Sequence, residues 1–255
     1  MLMTMNRVLI SLLFVIYSLS LMAQSITLPD EDIKYKIMYK WGLVNTQAGH
    51  ATLSLRNKDG RYQASLVAHS EPWADRIYRV RDTLLCTMTP QIEPLKYEKI
   101  AHEDGKFTHD IVTYSRQNDI VTANCVRHKQ KAEDEPIKIE NRSLTASGTT
   151  VDMLSVFYYL RTLDFPSMKK GATSTINIFS GKKKEKLTIK YNGYSSVDID
   201  NKLYYAYHVS FRFTSDNGKK SSDDIDTWIS ADSKRIPIKL EGRLPIGKVR
   251  CFYTK

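Results

Sequence analysis

Leu95-Lys-Tyr-Glu-Lys-Ile-Ala-His-Glu103, then Asp104-Gly105, then Lys106-Phe-Thr-His-Asp-Ile-Val-Thr-Tyr-Ser115, is the stretch that decides the fold. Apolar and polar residues alternate on both sides of an Asp-Gly pair, and such a pair readily supplies the positive φ angles of a tight hairpin turn. The same punctuation recurs outward from it. Asp59-Gly60 divides Ala51–Arg56 from Tyr62–His69, and Asn217-Gly218 follows Tyr204–Thr214. Ile33–Tyr39, Thr83–Met88, Ile120–Arg127, Thr173–Phe179, Lys186–Tyr194, Thr227–Ser230, Ile236–Arg243 and Lys248–Tyr253 are further β-rich runs. Short strands at this spacing predict an all-β fold rather than βαβ units. The expected form is a curved antiparallel sheet closing into a barrel or half-barrel, in general shape like a lipocalin or LolA, with one helix packed on or in it.

Two intervals interrupt the pattern. From His128 to Arg142 charges crowd together, as in a solvated loop. Over Asp152–Phe165, Met153, Val156, Phe157, Leu160 and Leu163 recur at helical spacing after Thr149 and Thr150, which predicts a helix at about residues 152–165. Those apolar side chains are too many to leave in water, so the helix is expected to plug or lean on the sheet.

The chain opens with Arg7, an apolar run Val8–Leu21 and the small residue Ala23, the three parts of a secretory signal peptide over residues 1–23. The run is shorter than the ~20 residues of a membrane-spanning helix. Residues 24–255 are then expected to form a single exported domain, periplasmic or secreted, without a membrane span once the signal is removed. None of the three cysteines, Cys86, Cys125 and Cys251, lies where a lipoprotein anchor would need it. An odd count allows one disulfide at most, and three separate buried thiols fit equally well. The formal net charge of +10 favours anionic partners such as lipid head groups or acidic glycans. Nucleic acid is a poor partner outside the cytoplasm.

Three further groupings stand out: an early Tyr39-x-x-Gly42 leading to Ala48-Gly49, a mid-chain Asp152-x-x-Ser155 ahead of Tyr159-x-Arg161, and a late Trp228-Ile229-Ser230-x-Asp232-x-x-Arg235-x-Pro237. In these the chain resembles the exported bacterial family called domain of unknown function 3108, over roughly Lys34 to Lys255. The resemblance implies an envelope location and a curved, barrel-like antiparallel fold, and it implies no established activity or catalytic residue. Read physically, the late motif is a turn at Asp232 followed by a strand starting near Pro237, with Arg235 placed to pair with Asp232 and Trp228 in the core.

Zinc-type spacings, a nucleophile elbow and a phosphate-cradling loop are absent from the sequence, so it points to no cofactor, metal or catalytic residue. In the Asp104-Gly105 hairpin, His102 faces Phe107 and Ile100 faces His109, which sets both histidines on one face with Ile100, Phe107 and Ile111. With Lys99, Glu103, Lys106 and Asp110 on the other, His102, Phe107 and His109 are expected to point inward, as candidate ligand-binding residues. The acidic turns Asp198/Asp200/Asn201 and Asp223/Asp224/Asp226 lack a calcium-loop pattern, and the basic run Lys182, Lys183, Lys184 and Lys186 reads as a solvated hairpin tip. The leading expectation is a non-catalytic envelope protein holding an apolar or amphipathic lipid or glycan in the curled sheet. The alternative is an assembly partner for another envelope protein, with a filled core; a hydrolase ranks last. Whether the interior is hollow separates the first two.

Overall fold

The computed structural model describes residues 27–254 except 182, 216–217 and 221–223. The signal segment 1–23, Lys182, Asn217 and Asp223 lie outside the described residues. Fifteen strands follow in chain order: β1 (Glu31–Trp41), β2 (Val44–Lys58), β3 (Arg61–Ser70), β4 (Val80–Met88), β5 (Pro94–Glu103), β6 (Lys106–Gln117), β7 (Ile120–Gln130), β8 (Lys138–Ser147), β9 (Thr150–Asp152), β10 (Thr173–Phe179), β11 (Lys184–Ile199), β12 (Lys202–Ser215), β13 (Ile225–Ser230), β14 (Pro237–Arg243) and β15 (Lys248–Thr254). They form one sheet in the order 8-7-6-5-4-3-2-1-15-14-13-12-11-10-9, antiparallel everywhere except between β9 and β10. The sheet thus runs by hairpins in both directions from a β1–β15 pair at its middle, and it curls into a nearly closed barrel.

The two edges of the sheet meet unequally. β8 stays outside, and its exposed Lys138 and Arg142 with the half-buried Glu140 make it a charged edge that resists pairing with another chain. The opposite edge is tucked inside the curl. Ile176, Asn177, Ile178 and Phe179 at the end of β10 are all buried, and Asn177 donates from Nδ2 to the Ser147 carbonyl at 2.8 Å, linking the two edges. The charged run at His128–Arg142 is therefore only partly a loop, since β7 extends to Gln130 and β8 begins at Lys138.

The single α-helix among the described residues, α1 (Ser155–Arg161), lies in the same interior and is shorter than the periodicity predicts. At its start, Thr150–Asp152 are drawn into pairing with Asn177–Phe179. At its end, Pro166 opposes helical backbone at Phe165 and a 3-10 turn follows over Phe165–Ser167. Leu154 and Tyr158 join the apolar cluster against the β1–β7 wall, while Val156 and Leu160 join the cluster against β10–β13. The helix is consequently sandwiched between the two halves of its own sheet.

Candidate functional site

Four charged residues are buried among the described residues, Asp110, Asp152, Arg161 and Glu185, each answered from within the chain. Asp152 is fully buried, and its Oδ1 accepts the amide hydrogens of Leu154 at 2.8 Å and Ser155 at 2.7 Å. The Ser155 hydroxyl accepts the amide hydrogen of Asp152 in return, so Asp152-x-x-Ser155 is a reciprocal cap for the first turn of α1. Cys86 donates its thiol hydrogen to Asp152 Oδ2 at 3.0 Å. Burial raises the Asp152 carboxyl above the usual carboxylate range, against these hydrogen bonds. Burial, with the neighbouring carboxylate, pushes the Cys86 thiol well up too. A thiol held protonated is a poor nucleophile, and the pair reads as architecture.

Arg161, 1% exposed, donates to the Lys234 carbonyl from Nε and Nη2 and forms a two-nitrogen ion pair with Glu31 of β1. Lys234 lies in the late-motif turn, where Asp232 Oδ1 accepts the amide hydrogens of Lys234 and Arg235 and the Ser230 hydroxyl. Arg235 does not pair with Asp232; it donates to the Leu163 carbonyl beyond the helix at 2.6 Å. The mid-chain and late motifs are thus two halves of one clamp that ties α1 to β1 and β13–β14.

The third buried charge, Asp110, is bound by both Arg127 Nε and Nη2, at 2.5 and 2.6 Å. Gly181, in the β10–β11 turn, packs on this carboxylate so closely that a Cβ there would fall 2.7 Å from Oδ2. The turn predicted as a solvated tip is therefore buried at Gly181 while Lys183 stays exposed, and Lys183, Lys184 and Lys186 are engaged by Glu185, the Thr145 carbonyl and Asn177. Asp82, on the same inner wall, is pushed up to about 6, first by burial and further by Glu103, against Lys99.

The hairpin register at Asp104-Gly105 is as expected, with His102 opposite Phe107 and Ile100 opposite His109. The face is the reverse of the expected one. Tyr97, Ala101, Asp110 and Val112 are buried inside, while His102, Phe107 and His109 are on the outer wall and at least partly exposed. Extended to the full strands, the alternation gives the inner face Tyr97, Ala101, Val112 and Tyr114, a signal that outweighs Lys99 and Asp110. All six histidines lie on the outer wall, and the cross-strand registers join four of them in one line: His208, Trp228, Lys239, Phe252, Lys36, His50, His69, Arg81, His102, Phe107. Trp228, expected in the core, is half-buried against the edge of the core cluster and stacks on His208 at 4.4 Å with the Lys239 ammonium 3.9 Å above it. Three histidines contact carboxylates: His50 with Glu71, His109 with Glu98 and His208 with Asp226.

Two concavities open on this outer wall. One, of about 490 Å³, crosses β2–β5 and is lined by Ser54, Arg56, Gln63, Ser65, Leu85, Thr87, Lys96 and Glu98; the other, of about 250 Å³, includes Lys34, Lys36 and His50. Among the described residues no three His, Cys, Asp or Glu side chains gather as a metal site, and all three cysteines are free. Asp198 accepts the Asn201 amide hydrogen as an ordinary turn, and Asp200 and Asp224 are ion-paired with Lys36 and Arg212. No described helix is long and apolar enough to cross a membrane.

Compared with known proteins, the family described as "Protein of unknown function (DUF3108)" matches residues 34–253. The β-barrel-like protein of domain of unknown function DUF1849 from Brucella abortus is similar in structure, with a TM-score of 0.61 and 11% identity over 90% of this chain and 98% of that one. A protein from Parabacteroides distasonis ATCC 8503 described as a "putative lipoprotein" aligns over 89% of this chain and 96% of its own at a TM-score of 0.29 and 6% identity. None of the curated proteins compared matches. The Brucella likeness is one of fold.

Proposed function

The chain belongs to the family of unknown function DUF3108, and from that premise we propose that it is a non-catalytic cell-envelope protein that works through its outer surface, as an assembly partner. One observation carries this reading: α1 and the end of β10 occupy the space a ligand would need, with Leu154, Tyr158, Leu160, Ile178 and Phe179 each at most 1% exposed. Small barrels that hold ligands leave such space open at the mouth. Asp110, Asp152 and Arg161 are engaged within the chain, whereas the histidines, Trp228, Phe107 and their cationic neighbours lie on the outer wall. The apolar leader supports placement outside the cytoplasm.

Native mass spectrometry of the protein purified from its own envelope tests the proposal. The expected mass is that of the polypeptide alone, unchanged after incubation with envelope extract. A small molecule retained at unit stoichiometry would overturn it. A second reading, an acidic or hydroxylated glycan bound in the β2–β5 concavity, is favoured by that lining of hydroxyls, an amide, Arg56 and Lys96. Glycan binding lost in Gln63→Ala and Lys96→Ala variants would select it.

A further inference from the structure

The hairpin turns of the sheet are not alike. Asp59-Gly60, Asp104-Gly105, Asn118-Asp119 and Asp200-Asn201 connect their strands through two polar or glycine residues. Trp41 and Val44 instead close the β1–β2 hairpin over Gly42-Leu43. Gly42, at φ 53°, supplies the positive φ that such a turn needs first. Nothing in the turn calls for leucine next, yet Leu43 is fully exposed, at 104%. In the neighbouring β14–β15 loop, Leu244-Pro245-Ile246-Gly247, Leu244 is 44% and Ile246 62% exposed.

The two tips are fastened together. Tyr39 donates its hydroxyl hydrogen to the Ile246 carbonyl at 3.1 Å, and a Cβ on Gly247 would fall 2.4 Å from the Lys40 carbonyl oxygen. Trp41, Leu43, Val44, Leu244 and Ile246 therefore project from one rim as a paired apolar prong. Behind it stands a cationic collar: Lys40 faces Lys248 across β1–β15, and Arg243 faces Lys248 across β14–β15. Glu241 engages Lys248 from further down the strand.

Resting on the reading that the protein works through its surface, we propose that this paired tip docks the barrel on an anionic lipid bilayer. Tryptophan favours the headgroup level, aliphatic tips reach the acyl boundary, and lysine and arginine behind them meet anionic headgroups. The prong offers few hydrogen-bonding side chains, whereas a protein interface carries about one hydrogen bond per 100–200 Å². Ion pairs such as Arg56–Asp32, Arg81–Asp75 and Arg212–Asp224 stud the outer wall, so it is the tip that enters the bilayer.

Co-sedimentation of the purified chain with phosphatidylcholine vesicles, and with equal mixtures of phosphatidylcholine and phosphatidylglycerol, tests this. The chain is expected to pellet with the anionic vesicles at low salt, and brominated lipid should quench its tryptophan fluorescence. Leu43→Asp with Ile246→Asp should abolish pelleting while the melting temperature is kept. Lys40→Glu with Arg243→Glu should weaken it by about fivefold or more for each cation removed. Pelleting unchanged in the Asp variant, or absent from the wild type at low salt, would overturn docking. So would a concentration-dependent dimer in ultracentrifugation that the Asp variant abolishes, since the tips would then bind a second copy. A chain that keeps its bare polypeptide mass yet does not pellet loses the docking but not the surface-acting role. A retained small molecule removes that role whatever the vesicles show.

Discussion

Inside the curl, Asp110, Asp152 and Arg161 are removed from water; at one rim, Trp41, Leu43 and Ile246 stand in it. Both regions run against the usual partition of side chains. They differ in whether the chain itself supplies an answer. Each of these three has a partner from another element of the chain: Glu31 for Arg161, Arg127 for Asp110 and Cys86 for Asp152. The rim has none, because Gly42 and Gly247 bring two apolar tips together and leave them uncovered. A polar group with its partners at home explains the fold, and an apolar group without cover points outside the molecule.

The comparison breaks first at Arg161. Replacing it with Met leaves the Glu31 carboxylate and the Lys234 carbonyl without their donor, and urea denaturation should show a loss of about 3–5 kcal/mol. Adding Glu31→Gln should restore much of it; no recovery would mean that lost packing dominates over lost charge. Next comes Gly181→Ala, which places a methyl group against Asp110 at a residue with φ 81°. Its expected cost is about 2–3 kcal/mol, and a neutral result would mean that the β10–β11 turn does not enter the barrel. Asp152→Ala removes the cap of α1 and should lose about 2 kcal/mol, read from the denaturation midpoint.

Asp82 sharpens the same contrast through pH. Its folded value, about 6, lies above the ordinary 3.8, so folding favours the protonated form. The stability it contributes is fully present below pH 3.8 and is lost as pH rises through about 6. Asp82→Asn should therefore flatten the fall in stability between pH 4 and 7, with a gain of about 1 kcal/mol at pH 7 after allowance for solvent screening. An unchanged pH slope would sink this assignment. The smallest effect is expected at the rim, where Leu43→Asp should alter stability by no more than about 0.5 kcal/mol. A much larger loss would make the tip part of the fold.

The strands and hairpins were legible because their signals are local: an Asp-Gly pair with alternation on either side needs no distant information. Sidedness was harder. On β5–β6 both faces carry apolar residues, Ile100, Phe107 and Ile111 against Tyr97, Ala101 and Val112, and the choice turns on Asp110, whose burial depends on Arg127 and on a glycine 71 residues along the chain. The helix was legible from its period but not in its length, because β10 competes for Thr150–Asp152. Two of the three groupings that carry the family resemblance, the mid-chain Asp152-x-x-Ser155 with Tyr159-x-Arg161 and the late Ser230–Pro237 turn, converge on the helix clamp, while the early Tyr39-x-x-Gly42 lies at the rim. They identify the architecture, and the outer wall had to be found from the register.

The pairing of β1 with β15 has a consequence in time. Lys34 lies opposite Thr254 in the middle of the sheet, so the last described strand completes a seam rather than adding an edge. While the chain is being delivered from its amino end, β1 and β14 remain two raw borders, and contacts of such long sequence separation form slowly. The two halves of the sheet are thus joined through the last described strand. Removal of β15 would split the sheet at its centre instead of fraying its rim.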